Sequence, residues 1–315
     1  SRNERLFLAR DRFGKKPLFL CEINGVMVFA SEIKSILRFP GINARVDTAA
    51  VWDYFAYRYV PAPATLFCGI RKLMPGCYAV WEKGVLTERC YYQPPDREVL
   101  IGTELSADPV GAFLDKLDEA VNIRMIADVP FGAFLSGGID SSAVVGLMSR
   151  HSAQPIKTFS VGFLEAGYSE LGYAKTIAEQ FKTDHHELVV SQEHLMQHLP
   201  ALVRFRDAPV AEPSDIPIYL LAKEARRTVK MVLTGEGADE FLGGYPKHVY
   251  ESYAGMYQAI PSFLRHGILE PLIQILPYRF RRAKTAMVNL GLERFEERMP
   301  RWFGAMSDNE RSDLV

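Results

Sequence analysis

The sequence predicts the α/β fold class, with a doubly wound parallel sheet preceded by a smaller α+β region. Three observations support this prediction. The 315 residues exceed what one core usually organises, short apolar runs separated by turns fill the first part, and strands alternate with helices afterwards. Prolines and polar residues mark the change between Gln93 and Pro109. We therefore expect a first domain at 1–95, a linker at 96–108 and a second domain at 109–315.

The first region alternates apolar runs with turns such as Asn24-Gly25 and Pro75-Gly76, which is typical of short, mostly antiparallel strands. Helical patterns interrupt the strands near 32–39 and 48–57. The expected strands include Leu6–Leu8, Leu18–Leu20, Val26–Ala30 and Tyr78–Trp81.

The second region predicts a parallel sheet, because strands and helices alternate along it. Ligands of such a sheet bind at the carboxyl ends of its strands. The tail at 245–315 is expected to be helix-rich, with breaks near Pro261, Pro271 and Pro277. The expected strands are Phe131–Leu135, Thr158–Phe163, Glu187–Val190 and Met231–Thr234, and the expected helices begin at Ser141, Glu170 and Ile218.

Composition excludes several classes of partner. A net charge of −1 argues against nucleic acid, because binding to a phosphate backbone needs clustered positive charge. No apolar run approaches the roughly 18 residues of a membrane helix, so no membrane partner is expected. The chain begins with Ser rather than Met, which favours the interior of a longer protein. Four cysteines without a CxxC pair predict buried reduced thiols and a cytoplasmic location: Cys21, Cys68, Cys77 and Cys90.

The segment Ser136–Ser142 has the features of a phosphate-binding loop. It joins an apolar strand to a helix, its two glycines allow close approach of an anion, and its serines supply hydroxyl donors at a helix N-terminus. A carboxylate beside phosphate oxygens implies a cation, most simply Mg²⁺ shared with ATP. An ordinary capped glycine turn is the structural alternative. The residues concerned are Ser136, Gly137, Gly138, Asp140, Ser141 and Ser142.

A second loop, Gly235–Glu240, follows the last predicted strand at the same sheet edge, so the two loops should face each other. Its carboxylates suit a metal ligand and a general base. A solvated acidic loop is the alternative.

Three other polar groups favour structural roles. His185 and His186 are adjacent on a strand and therefore point to opposite faces. Ser214 or Asp215 is placed to cap a helix. A basic run around Arg10 is most simply a solvated turn.

Four motifs together resemble the N-type ATP pyrophosphatases, and within them the glutamine-hydrolysing asparagine synthetases. The motifs occur in the order found in that family and cover residues 1 to about 250. They are Leu8–Leu18 (LARDRFGKKPL), Phe29–Lys34 (FASEIK), Asp128–Gly138 (DVPFGAFLSGG) and Leu233–Glu240 (LTGEGADE).

The resemblance implies an adenine nucleotide alpha hydrolase-like synthetase domain after the C-terminal half of an N-terminal-nucleophile glutaminase domain. It assigns Asp140 and Asp239 to Mg²⁺ and Glu236 to deprotonation of ammonia. It places adenine against Leu135 and Val161, both of which could equally be core residues, with the backbone of Gly235 nearby.

The implied reaction is ATP-dependent synthesis of asparagine through β-aspartyl-AMP, with aspartate, ATP and glutamine-derived ammonia as substrates. The glutaminase nucleophile and a phosphate-contacting Lys of the family have no match in this chain, so the chain alone is not expected to hydrolyse glutamine. Two alternatives stay open, an enzyme that adenylates another carboxylate, as β-lactam synthetases do, and a non-catalytic ATP-binding module. A homodimer is left open.

Overall fold

The computed structural model describes residues 4–95, 107–164, 169–306 and 308–314. The chain forms two compact units, one of Ser1–Leu100 with Pro246–Val315 and one of Ile101–Tyr245. This division differs from the expected domain at 109–315, because the C-terminal helices group with the first unit. The expected linker lies almost entirely outside the described residues, and the domain boundaries stay a prediction.

The first unit contains two three-stranded antiparallel sheets, in the orders β1-β5-β6 and β3-β2-β4. The expected Asn24-Gly25 turn joins β2 to β3. Both of its residues have positive φ, 49° and 73°, as a two-residue hairpin turn of this hand requires. The elements are β1 (Arg5–Ala9), β2 (Phe19–Ile23), β3 (Val26–Ala30), α1 (Ile33–Ile36), α2 (Thr48–Tyr57), β4 (Ile70–Lys72), β5 (Cys77–Glu82) and β6 (Val85–Cys90).

The expectation of four buried reduced thiols is wrong. Cys77 and Cys90 lie opposite each other in the β5–β6 ladder and form a disulfide bond. Cys77 is buried, whereas Cys90 is exposed on the edge strand; Cys21 is buried and free, and Cys68 is free and partly exposed. The spacing of 13 residues gave no sign of this pairing, because cross-strand register depends on where the hairpin turns.

Arg10 also differs from its expected role in a solvated turn. Its guanidinium donates to three backbone carbonyls, those of Lys16 at 3.0 Å, Leu73 at 2.6 Å and Gly14 at 2.9 Å. Burial lowers the pKa of this side chain. Arg10 therefore holds the loop after β1 against the approach to β5.

The tail of the first unit is helical, as expected, and it begins new helices after Pro261 and Pro277. Pro271 does not interrupt the helical segment. Instead the residues before it form a π-helical turn, which accommodates a proline ring that would clash with the preceding turn of an α-helix. The elements are α9 (Pro246–Ser252), α10 (Ala254–Gln258), α11 (Ser262–Leu264), a π-turn (Arg265–Leu269), α12 (Glu270–Ile275), a 3₁₀ turn (Tyr278–Phe280), α13 (Arg281–Leu290), α14 (Phe295–Phe303) and α15 (Asp308–Ser312).

The second unit contains the expected parallel sheet, in the order β10-β7-β8-β9. From β7 the chain winds outward through β8 and β9 and then returns to place β10 on the other side of β7. The strand order therefore reverses between β7 and β10. The elements are α3 (Pro109–Met125), β7 (Phe131–Phe134), α4 (Ile139–His151), β8 (Lys157–Phe163), α5 (Leu171–Phe181), β9 (Asp184–Val190), α6 (Gln192–Arg206), α7 (Asp215–Ala225), β10 (Met231–Leu233) and α8 (Ala238–Leu242).

Both faces of this sheet are covered, so the doubly wound prediction is confirmed. One cluster joins Ala133 of β7 to Val145 of α4 and Ala174 of α5. Another cluster joins Phe159 of β8 to Leu221 of α7. In the described part of the chain, no helix has the length and apolar character needed to cross a membrane.

Candidate nucleotide site

The segment that follows β7 folds into a tight loop held by its own serines. The Ser136 amide donates to the Ser141 hydroxyl at 3.2 Å, and the Gly138 amide donates to the Ser136 hydroxyl at 3.2 Å. The hydroxyl of Ser142 donates to the Gly138 carbonyl at 2.7 Å. Helix α4 begins at Ile139, with Asp140 in its first turn. The loop therefore ends at a helix N-terminus, where the backbone amides and the dipole favour an anion.

Gly137 has a structural requirement of its own. Its φ is +83°, and a Cβ atom there would lie 2.5 Å from the Tyr173 Cβ and 2.6 Å from the Ala174 amide nitrogen. Only glycine adopts this conformation at little cost and allows the loop to pass this close to α5. Packing against α5 alone therefore requires glycine at this position.

The loop that follows β10 touches the first loop, as the sequence predicts. A Cβ atom on Gly235 would lie 2.6 Å from the Ser141 amide nitrogen and 2.8 Å from the Asp140 carbonyl carbon. The two loops meet because β7 and β10 are neighbouring parallel strands at the point where strand order reverses. Ligand sites in such folds form at this crevice.

The second loop contacts a tyrosine that the sequence did not single out. The Tyr245 hydroxyl donates to Glu240 Oε1 at 2.6 Å. This hydrogen bond, followed by burial and by the charges of Glu240, Asp239 and Glu236, raises the pKa of Tyr245 to about 12. All three carboxylates therefore contribute negative charge at this hydroxyl. Tyr245 follows two glycines and carries no pattern that would mark it in advance.

A cavity of about 630 Å³ opens between the two loops. Of the residues expected in the site, those that line it are Leu135, Ser136, Gly138, Asp140, Ser141, Val161, Gly235 and Glu236. Gly137, Ser142 and Asp239 do not line it. One wall is apolar, and it includes Phe163, Leu171, Pro217 and Leu221, which sequence reasoning did not assign to a site.

The remaining polar groups keep mostly structural roles. His185 Nδ1 lies 2.8 Å from the Thr158 hydroxyl, whereas the His186 ring stacks on Phe159 at 5.2 Å, so the two histidines do face opposite sides of the sheet. Burial lowers the pKa of His185. The cap expected before α7 is not formed, because Ser214 makes no capping hydrogen bond and Asp215 pairs with Arg206 instead.

The expected magnesium ligands fit that ion by their chemistry. The described residues contain no group of three or more His, Cys, Asp or Glu able to hold a metal ion. Mg²⁺ does not need one, since it commonly takes one or two carboxylates and completes its shell with phosphate oxygens and water. Asp140 and Asp239 are both partly exposed carboxylates, one on each of the two touching loops.

Comparison with known families identifies the family to which the chain belongs. A family model described as asparagine synthase matches residues 112–313, which is more than half of the 315 residues. The chain belongs to the asparagine synthase family. A second family model, described as a glutamine amidotransferase domain, matches residues 1–92.

Curated relatives agree with this assignment. Glutamine-hydrolyzing asparagine synthetase 1 of Bacillus subtilis (strain 168) is 37% identical over 267 residues, which cover 84% of this chain and 41% of that protein. An amidase, chyE of Penicillium rubens, is 31% identical over 261 residues, covering 76% of this chain and 38% of its own. The chain thus spans about two fifths of the length of these two relatives.

A solved structure gives a weaker likeness. The NH3-dependent NAD synthetase from Campylobacter jejuni is 12% identical with a TM-score of 0.32, over 58% of this chain and 97% of that one. A likeness this low supports no argument about this chain.

Proposed function

We propose that the protein containing this chain forms asparagine from aspartate in two steps. ATP adenylates the side-chain carboxylate to give β-aspartyl-AMP and pyrophosphate, and ammonia then displaces AMP. The contact of Gly235 with the Asp140–Ser141 backbone carries the proposal, because it joins both loops at one cavity. Membership of the asparagine synthase family supports aspartate as acceptor and ammonia as nucleophile.

The proposed nucleotide pose follows the shape of the cavity. Leu135 and Val161 line it beside the first loop, and we assign them to adenine. Ser136, Gly138 and Ser141 line the cavity and would bind the β- and γ-phosphates at the start of α4, whereas Gly137 and Ser142 do not line it and would hold the loop in shape. Donors fixed before the reaction stabilise the charge that develops on departing pyrophosphate.

Charge balance supports a cation in this site. The charged residues that line the cavity are all acidic: Asp140, Glu170 and Glu236. ATP and aspartate are also anions, so they would be repelled unless a cation offset the charge. Asp140, which lines the cavity, and Asp239, three residues after the lining residue Glu236, are the residues that would hold Mg²⁺. When bound, the ion would offset phosphate charge and favour loss of pyrophosphate.

Glu236 is the proposed general base. It is exposed at the cavity edge, one residue from the loop contact, so a carboxylate there can take a proton from ammonia as it attacks the adenylate. Glu236→Gln should therefore spare formation of the adenylate and slow amide formation. Equal loss of both activities would remove Glu236 as the base.

The wider assignment extends to the whole protein. We propose that residues 1–95 are part of a glutaminase domain that supplies ammonia from glutamine, and that 109–315 belong to the synthetase domain. A cytoplasmic location is part of the proposal and rests on these substrates, since the paired cysteines no longer support it. A homodimer is an assembly that the proposal allows.

The acceptor is tested by release of pyrophosphate from ATP in the full-length protein, with aspartate compared against glutamate and other carboxylic acids. We expect aspartate to give the highest kcat/KM. The alternative that the sequence leaves open is an enzyme acting on another carboxylate. Turnover with a different acid and none with aspartate would favour that alternative.

A further inference from the structure

A buried serine on β8 contacts the start of the loop that follows β7. Ser160 is 2% exposed, and its hydroxyl donates a hydrogen bond to the Leu135 carbonyl. Leu135 is itself 1% exposed. Ser160 also lines the cavity, beside Val161. The residue thus links the cavity wall formed by β8 to the loop formed after β7.

The hydrogen bond fills a gap in the sheet. The pairing of β7 with β8 ends at Phe134 and Phe159. Beyond it the Leu135 amide donates to the Phe159 carbonyl at 2.9 Å, while the Leu135 carbonyl accepts from the Ser160 hydroxyl. A buried carbonyl that loses its partner keeps the full cost of desolvation. An apolar side chain at position 160 could fill the same space, but it would leave the Leu135 carbonyl without this donor.

The peptide between Leu135 and Ser136 is consequently fixed at both of its polar ends. Its carbonyl accepts from Ser160, and its amide donates to the Ser141 hydroxyl at 3.2 Å. The direction in which this peptide leaves the sheet determines where the following amides point. The geometry assigns Ser160 as a positioning residue for the nucleotide: its hydroxyl sets the exit of the loop and acts on the phosphates through the loop.

This inference rests on the proposed use of ATP, and its test separates the two. The affinity of the full-length protein for Mg·ATP is measured by titration calorimetry in the wild type, Ser160→Val and Ser160→Thr. Valine and threonine have the same shape and both suit a strand, so the pair differs only by the hydroxyl. We expect Ser160→Val to weaken Mg·ATP binding by about tenfold, the scale of one lost buried hydrogen bond, and Ser160→Thr to restore it.

Thr158→Val is the matched structural control. Thr158 is 0% exposed on the same strand, and its hydroxyl lies 2.8 Å from the Thr183 hydroxyl and from His185 Nδ1, so these hydrogen bonds of the hydroxyl lead away from the loop. This variant should lower the unfolding temperature about as much as Ser160→Val and leave the affinity for Mg·ATP within about twofold of wild type.

Three results would overturn the inference while leaving the proposed function intact. These are wild-type affinity in Ser160→Val, equal weakening in Ser160→Val and Thr158→Val, and failure of Ser160→Thr to restore binding. A wild-type protein that does not bind Mg·ATP would instead refute the proposed function, and the inference with it.

Discussion

Replacing Gly235 with alanine tests whether the two loops must touch. An added Cβ would lie 2.6 Å from the Ser141 amide nitrogen, 2.8 Å from the Asp140 carbonyl carbon and 2.9 Å from its Cβ. Ordinary contact begins at 3.4 Å, so the loops must separate by up to 0.8 Å (3.4 minus 2.6). The obstructing atoms are backbone and Cβ atoms, and no flexible side-chain end can move aside.

A shift of this size moves the start of α4 away from the second loop. Misplacement of catalytic groups by about 1 Å can cost on the order of 10²-fold in rate. We therefore expect Gly235→Ala in the full-length protein to lower aspartate-dependent ATP–pyrophosphate exchange by roughly 100-fold. The free energy of unfolding should fall by only about 1 kcal/mol, which corresponds to a decrease of a few degrees in the unfolding temperature.

Gly172→Ala is the matched control for this experiment. Gly172 lies in α5 of the same unit, and a Cβ there meets nothing within 4 Å. This variant should keep wild-type exchange. If Gly235→Ala exchanged pyrophosphate within twofold of Gly172→Ala, the two loops would not need the observed contact and our account of the site would be refuted.

Three further predictions concern groups whose surroundings the structure defines. Arg10→Ala should lower the free energy of unfolding by roughly 2 to 4 kcal/mol in urea denaturation, because three carbonyls lose a charged donor; a change below about 0.5 kcal/mol would contradict that role. In a spectrophotometric titration corrected with Tyr245→Phe, Tyr245 should ionise near pH 12, and Glu240→Gln should move its midpoint toward 10. A midpoint near 10 in the wild type would show that the hydrogen bond does not form. Peptide mapping without reductant should recover one cross-linked peptide containing Cys77 and Cys90, whereas alkylation of both thiols in unreduced protein would show that the bond is absent.

Local residue chemistry was sufficient to predict how the loop after β7 is built. Strand, glycine turn and helix follow one another around 131–142, so the loop and its helix N-terminus were readable from one short segment. The proximity of the two loops could also be predicted, because alternating strands and helices imply a parallel sheet, which places Thr234 at the same edge as Leu135. Each of these inferences depended on neighbours in sequence or on a rule of topology.

Features that depend on pairing between distant residues could not be predicted. The disulfide needs the register of β5 against β6, and the hydrogen bond from Ser160 needs β8 beside the end of β7. Arginine is usually a surface residue, yet the Arg10 guanidinium donates to the Leu73 carbonyl, 63 positions away in sequence. Such contacts are set by tertiary packing, which residue type and spacing do not encode.

The C-terminal tail shows the same limit on a smaller scale. Proline was expected to end a helix at 271, but the chain relieved the steric clash with a π-turn and continued.

Exchange of labelled pyrophosphate into ATP is the most direct test of the central claim, that the two loops form one site for adenylating a carboxylate. The assay uses the full-length protein with Mg²⁺ and aspartate, and compares wild type with Asp140→Ala. We predict aspartate-dependent exchange in the wild type and loss of at least 10³-fold, on the order of 4 kcal/mol of transition-state stabilisation, in Asp140→Ala. Exchange retained in Asp140→Ala would contradict the account.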